Sequence, residues 1–421
     1  MSRLAELIEQ LCPDGVEYRA LGDVGVFVRG GGLQKADFVE AGMPCVHYGQ
    51  IHTRFGISTT MAVSSVSEAQ FARLKHADYG DLLIATTSED DEAVGKATAW
   101  LGDGEVAISG DMFYYRHNLE PKYVSYFFAS SLFQDQKRPY LTGAKVRRIS
   151  DKGLARIQIP VPPVEVQREI VRILDQFTTL EAELEAELEA RRAQYEHYRN
   201  HLLSMTALKQ RCGEIPVRKL GEVGVFHGGL TGKTKADFSD SPDASAFVTY
   251  KEIYSRIEID SIPVGRVQVA DKEKQLALQY GDVLFTGSSE NSEEVGMTAV
   301  VTSEFSKRVY LNSFSICFRW SEELFDPGYA KHMFNSPEIR REIQRCASGV
   351  TRFNLSKKRM EKISVPVPPL EVQHEIMRVL DDFDALVNDI SSGLPAEIAA
   401  RRAQYEHYRD RLLSFPEKKT E

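Results

Sequence analysis

A glycine-rich loop in the second half of the chain has residues that could bind a nucleotide phosphate. Residues 227–234 read HGGLTGKT, and the Gly-Lys-Thr ending is that of a phosphate-binding loop, whose backbone N–H groups and lysine hold the phosphates. That motif requires a glycine where His227 stands, and the corresponding stretch of the first half, Gly30–Lys35, lacks the Gly-Lys-Ser/Thr ending. A nucleotide hydrolase that uses Lys233 is therefore disfavoured. The remaining interpretations are a flexible loop whose lysine contacts a DNA phosphate and an ordinary surface turn.

Two acidic clusters, Glu89–Glu92 and Glu290–Glu294, contain the oxygen ligands that hard metal ions prefer. Nothing in their spacing fixes a coordination geometry, so we interpret them as solvated loops. The sequence also has no Asn/Asp-Pro-Pro-Tyr/Phe methyltransferase motif, no His-Glu-X-X-His motif, no helicase-type Walker A motif and no convincing carboxylate set of a nuclease. We therefore expect a chain without catalytic residues, a metal site or a cofactor of its own.

The composition is that of an ordinary soluble chain with room for two domains. Its 421 residues are 42% hydrophobic and 27% charged, and the net charge is −9. No apolar run approaches the roughly 18 residues of a membrane span, and Glu6 and Glu9 stand where a signal peptide would be apolar. The five cysteines form no Cys-X-X-Cys pair, which indicates reduced thiols. We expect a cytoplasmic protein that does not interact with a membrane.

Two segments are strongly basic although the chain as a whole is acidic. Residues Lys137–Arg156 contain seven basic residues and one acidic residue, a net of +6. Residues Lys331–Lys362 contain nine basic and three acidic residues, again a net of +6. Charge runs are most often solvated faces, but these two occupy equivalent positions and each contains a glycine loop, Thr142–Ser150 or Ser348–Ser356. We therefore predict that both segments contact DNA, whose phosphates attract Lys and Arg.

The part of the DNA that these side chains would touch stays open at the level of sequence. Arg147, Arg148 and Arg352 could reach guanine edges or phosphates. Asn354 could pair with adenine or make a local hydrogen bond in a turn. The candidate DNA contacts, drawn from the basic segments and the glycine loops, are Lys35, Arg138, Lys145, Arg147, Arg148, Lys233, Lys235, Thr351, Arg352, Asn354 and Lys357.

The elements that must position these loops occur twice. Residues Arg191–Ser204 return at Arg401–Ser414 with 12 of 14 positions identical, and Pro160–Phe177 returns at Pro366–Phe383 with 13 of 18 identical. A period of about 200 residues is that of a domain rather than of a solenoid unit. The chain is a tandem duplication whose copies differ freely between the repeated motifs. One scaffold that carries two different surfaces is the pattern expected of two binding faces with separate ligands.

Each copy ends in a long predicted helix. Proline-rich hinges predict helix starts near Val164 and near Leu370, because the first N–H groups of a helix have no partner for proline to remove. From Val164 to Ser204 the first helix would extend for roughly 60 Å. In the second copy the offset grows from 206 to 210 residues across Ser391–Pro395, which contains a glycine and a proline. We predict a break or kink in the second helix there.

The helix faces carry residues suited to helix packing or to partner docking. Apolar residues recur at steps of three and four along the first helix, and a Tyr/His/Arg pattern repeats near the end of both helices. A catalytic histidine is possible in principle, but tyrosines at this helical spacing are typical of packing. The candidate packing or docking residues are Leu180, Leu184, Leu188, Tyr195, Tyr198, Tyr405 and Tyr408.

These repeated motifs resemble those of the specificity (S) subunits of type I restriction–modification systems. The resemblance rests on the PVPPxEVQxEIxRxLD hinge and helix and on the YGD turn before an apolar strand. It rests also on the loops Thr142–Ser150 and Ser348–Ser356 and on the Leu-Leu near each helix end. The motifs occur once in each copy, and together the two copies account for nearly the whole chain. The resemblance implies an α+β fold with two tandem α/β target-recognition domains, separated by two long antiparallel helices that form a coiled-coil spacer with pseudo-two-fold symmetry. The interruption at Gly393 and the presence of Phe353 where the first copy has Arg147 depart from strict repetition.

The resemblance also implies function, partners and cofactors. Each recognition domain would read one half of a bipartite, asymmetric DNA site, and the helices would set the spacing and dock two modification subunits. Those subunits would bring S-adenosylmethionine and methylate adenine. Restriction subunits with ATP and Mg²⁺ would join the full complex, and the S subunit itself would not be an enzyme. The alternative is a protein-interaction scaffold without DNA readout, which would show no salt-dependent binding to DNA.

The predicted domain division follows the repeats. It places one target-recognition domain at residues 1–155 and the other at residues 207–361. The spacer helices would occupy residues 156–206 and 362–415, and residues 416–421 would form a tail.

Overall fold

The structure is a computed structural model that describes residues 3–238, 241, 244–270, 272–389 and 391–418. Backbone contacts divide the chain into two units. Unit 1 comprises Met1–Glu185 and Glu397–Glu421, and unit 2 comprises Ala186–Ala396. Each unit therefore combines the body of one copy with helix residues of the other copy. Of the predicted tail, residues 419–421 lie outside the described part of the chain.

Unit 1 consists of short strands and short helices that precede the first long helix. The helices are α1 (Arg3–Leu11), α2 (Leu21–Val24), α3 (Tyr48–Thr53), α4 (Glu68–Phe71), α5 (Pro121–Ala129), α6 (Ser131–Lys137) and α7 (Asp151–Leu154). The strands are β1 (Tyr18–Ala20), β2 (Gly25–Arg29), β3 (Phe38–Val39), β4 (Met43–Val46), β5 (Ser58–Thr59), β6 (Ser64–Val66), β7 (Lys75–Ala77), β8 (Leu82–Ala85), β9 (Thr87–Ser88), β10 (Ala97–Trp100), β11 (Val106–Ile108), β12 (Met112–His117), β13 (Arg147–Arg148) and β14 (Gln158–Pro160).

A five-stranded sheet with the order β2-β12-β8-β10-β5 forms the centre of unit 1. Its neighbours are antiparallel except for the parallel pair β10–β5. All four residues of β8 are buried, and they alternate between two hydrophobic cores because successive strand residues point to opposite faces. Leu82 and Ile84 join the core under α5 and α6, whereas Leu83 and Ala85 join the core beside α3. A second sheet has the order β3-β6-β4-β11-β7.

Unit 2 repeats this plan. The long helix α8 (Val164–Leu202) begins in unit 1 and is followed by α9 (Met205–Cys212), α10 (Leu220–Val223), α11 (Tyr250–Ser255), α12 (Pro327–Phe334), α13 (Pro337–Arg345), α14 (Lys357–Met360), α15 (Leu370–Asn388) and α16 (Leu394–Leu412). The strands are β15 (Val217–Lys219), β16 (Gly224–Gly228), β17 (Ser245–Val248), β18 (Glu258–Ile259), β19 (Gly265–Val267), β20 (Val283–Thr286), β21 (Ser288–Ser289), β22 (Thr298–Val301), β23 (Val309–Leu311), β24 (Ser315–Trp320), β25 (Ala347–Ser348), β26 (Phe353–Leu355) and β27 (Ser364–Pro366). The central sheet order, β16-β24-β20-β22-β18, matches that of unit 1 strand for strand.

The YGD turn before β8 and β20 holds a buried aspartate in an ion pair with an arginine in each unit. Gly80 and Gly281 have φ values of +89° and +84°, which a residue with a Cβ rarely adopts. The next residue in unit 2, Asp282, is 1% exposed and accepts hydrogen bonds from Arg319 Nε (2.8 Å) and Nη2 (2.6 Å). Asp81 makes the equivalent pair with Arg116 in unit 1. The motif therefore fixes the entry to the central strand.

A buried glutamine joins the start of the long helix in each unit to the helix that covers the central sheet. Gln167 Nε2 donates to the carbonyl of Pro162 (2.7 Å), and Gln167 Oε1 accepts from the backbone N–H of Glu120 (2.9 Å). Gln373 makes the corresponding bonds to Pro368 and from Asp326 in unit 2. Both glutamines are at most 3% exposed. These hydrogen bonds join the start of the long helix to the helix that covers the sheet, and they explain why the glutamine of the hinge motif is present in both copies.

The long helices begin where the prolines predicted. Helix α8 starts at Val164 and ends at Leu202, and α15 starts at Leu370. The predicted break is confirmed, because α15 ends at Asn388 and α16 begins only at Leu394. A Cβ on Gly393 would overlap with the carbonyl oxygens of Ala385 and Leu386, so the turn between the two helices needs glycine. None of the helices in the described ranges has the length and apolar character to cross a membrane.

Within unit 1, α8 and α16 run in opposite directions. Arg402 on α16 bonds Glu181 and Glu185 on α8, and Tyr405, further along α16, packs against Phe177, which lies earlier on α8. Leu188 is 9% exposed, whereas Leu180 is 49% exposed. The side chain of Leu180, in unit 1, is therefore half exposed to solvent, whereas that of Leu188, in unit 2, is buried.

Candidate nucleic-acid interface

Three loops meet at one end of the central sheet in unit 1. They are the glycine loop after β2 (residues 30–34), the turn between β11 and β12 (residues 109–111) and the hairpin that ends in β13 (residues 142–148). Antiparallel pairing brings the end of β2, the start of β12 and the end of β8 to the same edge. We call these three loops the loop edge of unit 1.

Backbone hydrogen bonds join the members of this edge. The N–H of Gly30 donates to the carbonyl of Met112 (3.0 Å). The N–H of Thr86 donates to Asp111 (3.0 Å), and the carbonyl of Thr86 accepts from Ile149 (3.2 Å) at the foot of the hairpin. The loop edge is therefore a connected main-chain framework and not three independent loops.

The loop edge of unit 2 has the same framework. Its members are the glycine loop (residues 229–234), the turn between β23 and β24 (residues 312–314) and the hairpin (residues 348–354). Gly229 donates to Ser315 (3.2 Å), Gly287 donates to Phe314 (2.9 Å), and Leu355 donates to Gly287 (2.9 Å). Each link corresponds in position to a link of unit 1.

One glycine in each of the two glycine loops, Gly30 or Gly229, is needed for packing. A Cβ on Gly30 would overlap with the carbonyl oxygen of Ser109, and a Cβ on Gly229 would overlap with that of Asn312. The loops therefore lie directly on the neighbouring turns. This contact accounts for Gly30 and Gly229 without a bound nucleotide.

Lys233 corrects the prediction of a flexible loop that presents a lysine. Its side chain is 5% exposed, and its Nζ donates to Glu273 and to the carbonyl of Gln268, both at 2.6 Å. The hydrogen bond from this lysine lowers the pKa of Glu273 to about 2. Lys233 is thus an internal tie, and a phosphate contact would require this pair to break. Two residues later, Lys235 is exposed.

The unit 1 hairpin holds one arginine tightly and leaves another free. Arg147 pairs with Asp91 through Nε and Nη2, and its Nη1 donates to the carbonyl of Gly143 (2.6 Å). Arg148 and Lys145 are exposed, and no carboxylate pairs with either of them in the described ranges. Asp91 of the acidic cluster at residues 89–92 therefore braces the hairpin.

The unit 2 hairpin is exposed at its tip, where Val350 is 92% exposed and Thr351 is also exposed. Arg352 donates to Ser288 Oγ (3.1 Å) and lies over the ring of Phe314, with 5.7 Å from Cζ to the ring centroid. Asn354 Nδ2 donates to the carbonyl of Arg352 (3.3 Å). This is the local turn bond that the sequence left open as an alternative to an adenine contact.

Several cations of the two basic segments point inward, which the net charges did not reveal. Lys137 is 1% exposed and donates to the carbonyls of Glu92 (2.8 Å) and Val94 (2.6 Å). Burial lowers the pKa of Lys137 to about 8. Arg340 donates to the carbonyls of Glu293 and Val295 in the same way in unit 2. These side chains stabilise the loops by hydrogen bonds to their carbonyl groups. The solvent-facing charge of each segment is therefore smaller than +6.

The remaining candidate cations lie at different places. Lys35 is exposed at the end of the unit 1 glycine loop. Lys357 Nζ lies beside Gly228, at the start of the unit 2 glycine loop, and is partly exposed. Arg138 is on the surface, and its guanidinium lies 3.5 Å from the carboxylate of Asp135. No hydrogen bond or ion pair joins the side chain of Arg138 to the hairpin in the described ranges.

The tyrosines of the long helices pack within their units. Tyr405 lies against Tyr126, whose hydroxyl donates to Asp175 (2.7 Å). In unit 2 the corresponding Tyr195 contacts His332, and the other ring nitrogen of that histidine bonds Asp381 (2.8 Å). Tyr198 and Tyr408 each stack on a phenylalanine of the paired helix. These four tyrosines therefore contribute to packing within their units.

Comparison with known families shows the family to which this chain belongs. The family model of the type I restriction modification DNA specificity domain matches residues 13–190 and 213–400, once in each copy. The chain belongs to this family of DNA specificity subunits. The described residues contain no group of three or more His, Cys, Asp or Glu side chains that could hold a metal ion.

Curated relatives carry the same description. The EcoR124I/EcoR124II specificity subunit of Escherichia coli is 32% identical over 295 residues, which are 65% of this chain and 66% of that protein. A putative type I restriction enzyme specificity subunit of Haemophilus influenzae is 29% identical over 286 residues, which are 66% of this chain and 69% of that protein. Neither relative favours the alternative of a scaffold without DNA readout.

Solved structures support the fold over nearly the full length. A chain from a study of complex assembly in a type I R-M system aligns with a TM-score of 0.63 at 18% identity, covering 96% of this chain and 98% of that one. The HsdS subunit from Thermoanaerobacter tengcongensis aligns with a TM-score of 0.50, also at 18% identity, covering 96% and 97%. The two-copy architecture is therefore that of known S subunits.

Proposed function

We propose that this chain is the specificity subunit of a type I restriction–modification complex and that each loop edge reads one half of a bipartite, asymmetric DNA site. One observation carries the proposal. The two loop edges share a main-chain framework, link for link, and yet present different side chains. A single chain that recognises an asymmetric site needs two unlike reading surfaces on one scaffold.

The proposal includes the domain division of the sequence. Residues 1–155 and 207–361 would be the target-recognition domains, and the helices of residues 156–206 and 362–415 would set the distance between the half-sites. The helices would also dock two modification subunits, with Leu180 among the exposed docking residues. The complex would act in the cytoplasm, where its DNA is.

In this proposal the chain has no catalytic step of its own. Modification subunits would supply S-adenosylmethionine for adenine methylation, and restriction subunits would supply ATP- and Mg²⁺-dependent activity. The chain's part is to bind DNA and to place the target adenine before its partner. The proposed contacts of the loop edges are Lys35, Lys145, Arg148, Lys235, Thr351, Arg352, Asn354 and Lys357. The internal pairs of Arg147 and Lys233 make these two less suited to direct contact.

The test uses the chain in complex with its modification subunits. We expect the complex to select one bipartite motif from a pool of random duplexes. Exchange of residues 1–155 for the corresponding domain of another S subunit should change one half of that motif and leave the other half and the spacing unchanged. Changes in both halves would contradict the two-reader proposal. A failure to select any motif would contradict DNA readout altogether.

A further inference from the structure

An exposed aromatic ring and an arginine form a pair at the loop edge of unit 2. Phe314, in the turn between β23 and β24, is 62% exposed. The guanidinium of Arg352 lies over its ring, 5.7 Å from the centroid. Arg352 Nη2 also donates to Ser288 Oγ (3.1 Å). The guanidinium is thus held by the ring on one face and by one hydrogen bond from Nη2. Its other N–H groups have no protein acceptor in the described part of the chain.

Unit 1 has no such pair. Asp111 stands at the position of Phe314, directly before the first residue of β12, and Val146 stands at the position of Arg352 in the hairpin. The arginine that this hairpin holds in place, Arg147, is neutralised by Asp91. By contrast, no carboxylate pairs with Arg352 in the described ranges. The two hairpins therefore differ in chemistry even though their backbones correspond.

We propose that Arg352 recognises a guanine in the half-site of unit 2 and that Phe314 is a positioning residue that fixes the plane of its guanidinium. This inference rests on the proposed function, since it assumes that unit 2 reads DNA. Guanine presents two acceptors, N7 and O6, to the major groove, and the arginine fork matches them with two parallel hydrogen bonds. Such a contact needs a defined orientation of the guanidinium plane. The ring of Phe314 and the hydroxyl of Ser288 supply that orientation before binding, which reduces the entropy lost on binding.

The geometry favours a base contact over a phosphate contact. A phosphate accepts a hydrogen bond from many directions, so a flexible, exposed lysine is sufficient for it. Lys358, which follows the hairpin and is exposed, is of this type. Arg352 instead lies near the tip of a protruding hairpin, two residues after Val350, which is 92% exposed. A protruding element of this kind can enter a groove, where base edges are accessible.

The test measures base preference at each position of the half-site that unit 2 reads. The complex with its modification subunits selects from duplexes in which that half-site is randomised. We expect the wild type to require guanine at one position. Arg352→Lys keeps the charge but loses the fork, so it should reduce the preference for guanine at that position by about tenfold or more and leave the other positions and the half-site of unit 1 unchanged. Arg352→Ala should do the same.

Arg345→Ala is the matched charge control. Arg345 is an exposed arginine of the same unit, paired with Glu342 at 2.5 Å on α13 and outside the loop edge. It should leave the preference for guanine unchanged. If Arg352→Lys behaves as the wild type while Arg352→Ala weakens binding equally for all sequences and lowers the salt slope by about one, Arg352 contacts a phosphate and the inference is overturned. In that case the selected motif persists, so the proposed function stands.

Phe314 variants test the positioning role. Phe314→Ala should relax the preference for guanine at the position that depends on Arg352, and Phe314→Tyr, which keeps the ring, should restore it. Melting of unit 2 followed by the fluorescence of Trp320 shows whether each variant is folded. A Phe314→Ala protein that is folded and retains the full preference for guanine would refute the role of the ring. A wild-type complex that selects no motif would instead refute the proposed function.

Discussion

The ring of Phe177 stacks on that of Tyr408, with centroids 5.5 Å apart and planes inclined by 26°. In unit 2, Tyr198 stacks on Phe383 at 5.3 Å and the same inclination of 26°. Phe177 and Phe383 are equivalent in the two copies, as are Tyr198 and Tyr408. The phenylalanine of each copy therefore meets the tyrosine of the other, and each unit is completed by a helix segment from the opposite copy.

Loss of one of these stacks should weaken one unit. We expect Tyr408→Ala to lower the free energy of unfolding of unit 1 by about 1–3 kcal/mol, from lost ring contact and lost burial, and Tyr198→Ala to do the same to unit 2. The chain has two tryptophans, Trp100 in unit 1 and Trp320 in unit 2. Fluorescence melts of single-tryptophan variants can therefore follow each unit separately. Tyr408→Phe, which keeps the ring, is the control and should be near neutral. If Tyr408→Ala shifted only the Trp320 signal, this assignment would be wrong.

The buried aspartate of the YGD turn should be essential for stability. Asp282→Ala removes both carboxylate acceptors of the Arg319 guanidinium, whose side chain is only 23% exposed, and leaves it the carbonyl of Ala277. Breaking such a pair from one side should cost about 2–4 kcal/mol, because the remaining charge is left without a partner. Denaturant unfolding followed by Trp320 measures the loss. Asp78→Ala in unit 1, followed by Trp100, is the contrasting control: Asp78 is 51% exposed, and its replacement should cost less than about 1 kcal/mol. Equal losses for both variants would contradict the role of burial.

Arg147 and Arg148 should affect DNA binding differently. Arg148 is exposed and free of a carboxylate partner within the described ranges, so Arg148→Ala should weaken binding and lower the slope of log affinity against log salt by about one. Arg147 is already neutralised by Asp91, so Arg147→Ala should change the salt slope by much less. Titration of labelled duplex at several salt concentrations measures both slopes. A larger change for Arg147 would show that the Asp91 pair opens on DNA.

Lys233 and Lys235 form a second matched pair. Lys233→Met removes the tie to Glu273 and Gln268, and hydrogen exchange of the unit 2 glycine loop should become faster. Lys235→Met leaves this tie intact and should leave the exchange unchanged while weakening binding to DNA. Neither variant should alter ATP hydrolysis by the isolated chain, which we expect to be absent. An ATPase activity that Lys233→Met abolishes would restore the nucleotide-site interpretation.

Unit 1 should be more sensitive to mild acid than unit 2. Burial lowers the pKa of His117 to about 4, compared with about 6.5 for an exposed histidine. Between these values the unfolded chain binds a proton that the folded chain does not, so unit 1 should lose stability as the pH falls from about 6.5 to about 4, by at most about 1.4 kcal/mol per pH unit. Above that range the contribution is constant.

Unit 2 provides the control for this pH dependence, because Trp320 stands at the position of His117 in the strand register. His117→Phe should flatten the pH dependence that Trp100 reports and leave the Trp320 signal unchanged. A variant with the same pH dependence as the wild type would show that another group is responsible.

The sequence predicted the features that depend on local residue types. Prolines gave the starts of α8 and α15, and the inserted segment with Gly393 gave the break. The loops around Gly143 and Gly349 were identified, and both glycines have positive φ. Each of these depends on backbone geometry within a few residues, which local sequence determines.

The sequence could not predict which cations face inward. Lys137 meets carbonyls some 45 residues earlier in the chain, and Lys233 meets Glu273 40 residues later. Net charge along a segment cannot distinguish such internal ties from exposed contacts. The pairing of Arg352 with Phe314 was missed for the same reason, since the two residues come together only through the links between the loops of the framework.

The links that hold each loop edge together run between main-chain N–H and carbonyl groups. A main-chain link depends little on which side chain a residue carries, provided that the glycines at the points of close approach remain. Substitutions at the hairpin tips can therefore accumulate without dismantling the support beneath them. If the loop edges read DNA as proposed, a few point mutations at one hairpin tip would change the target of that half-site and leave the other half-site as it was.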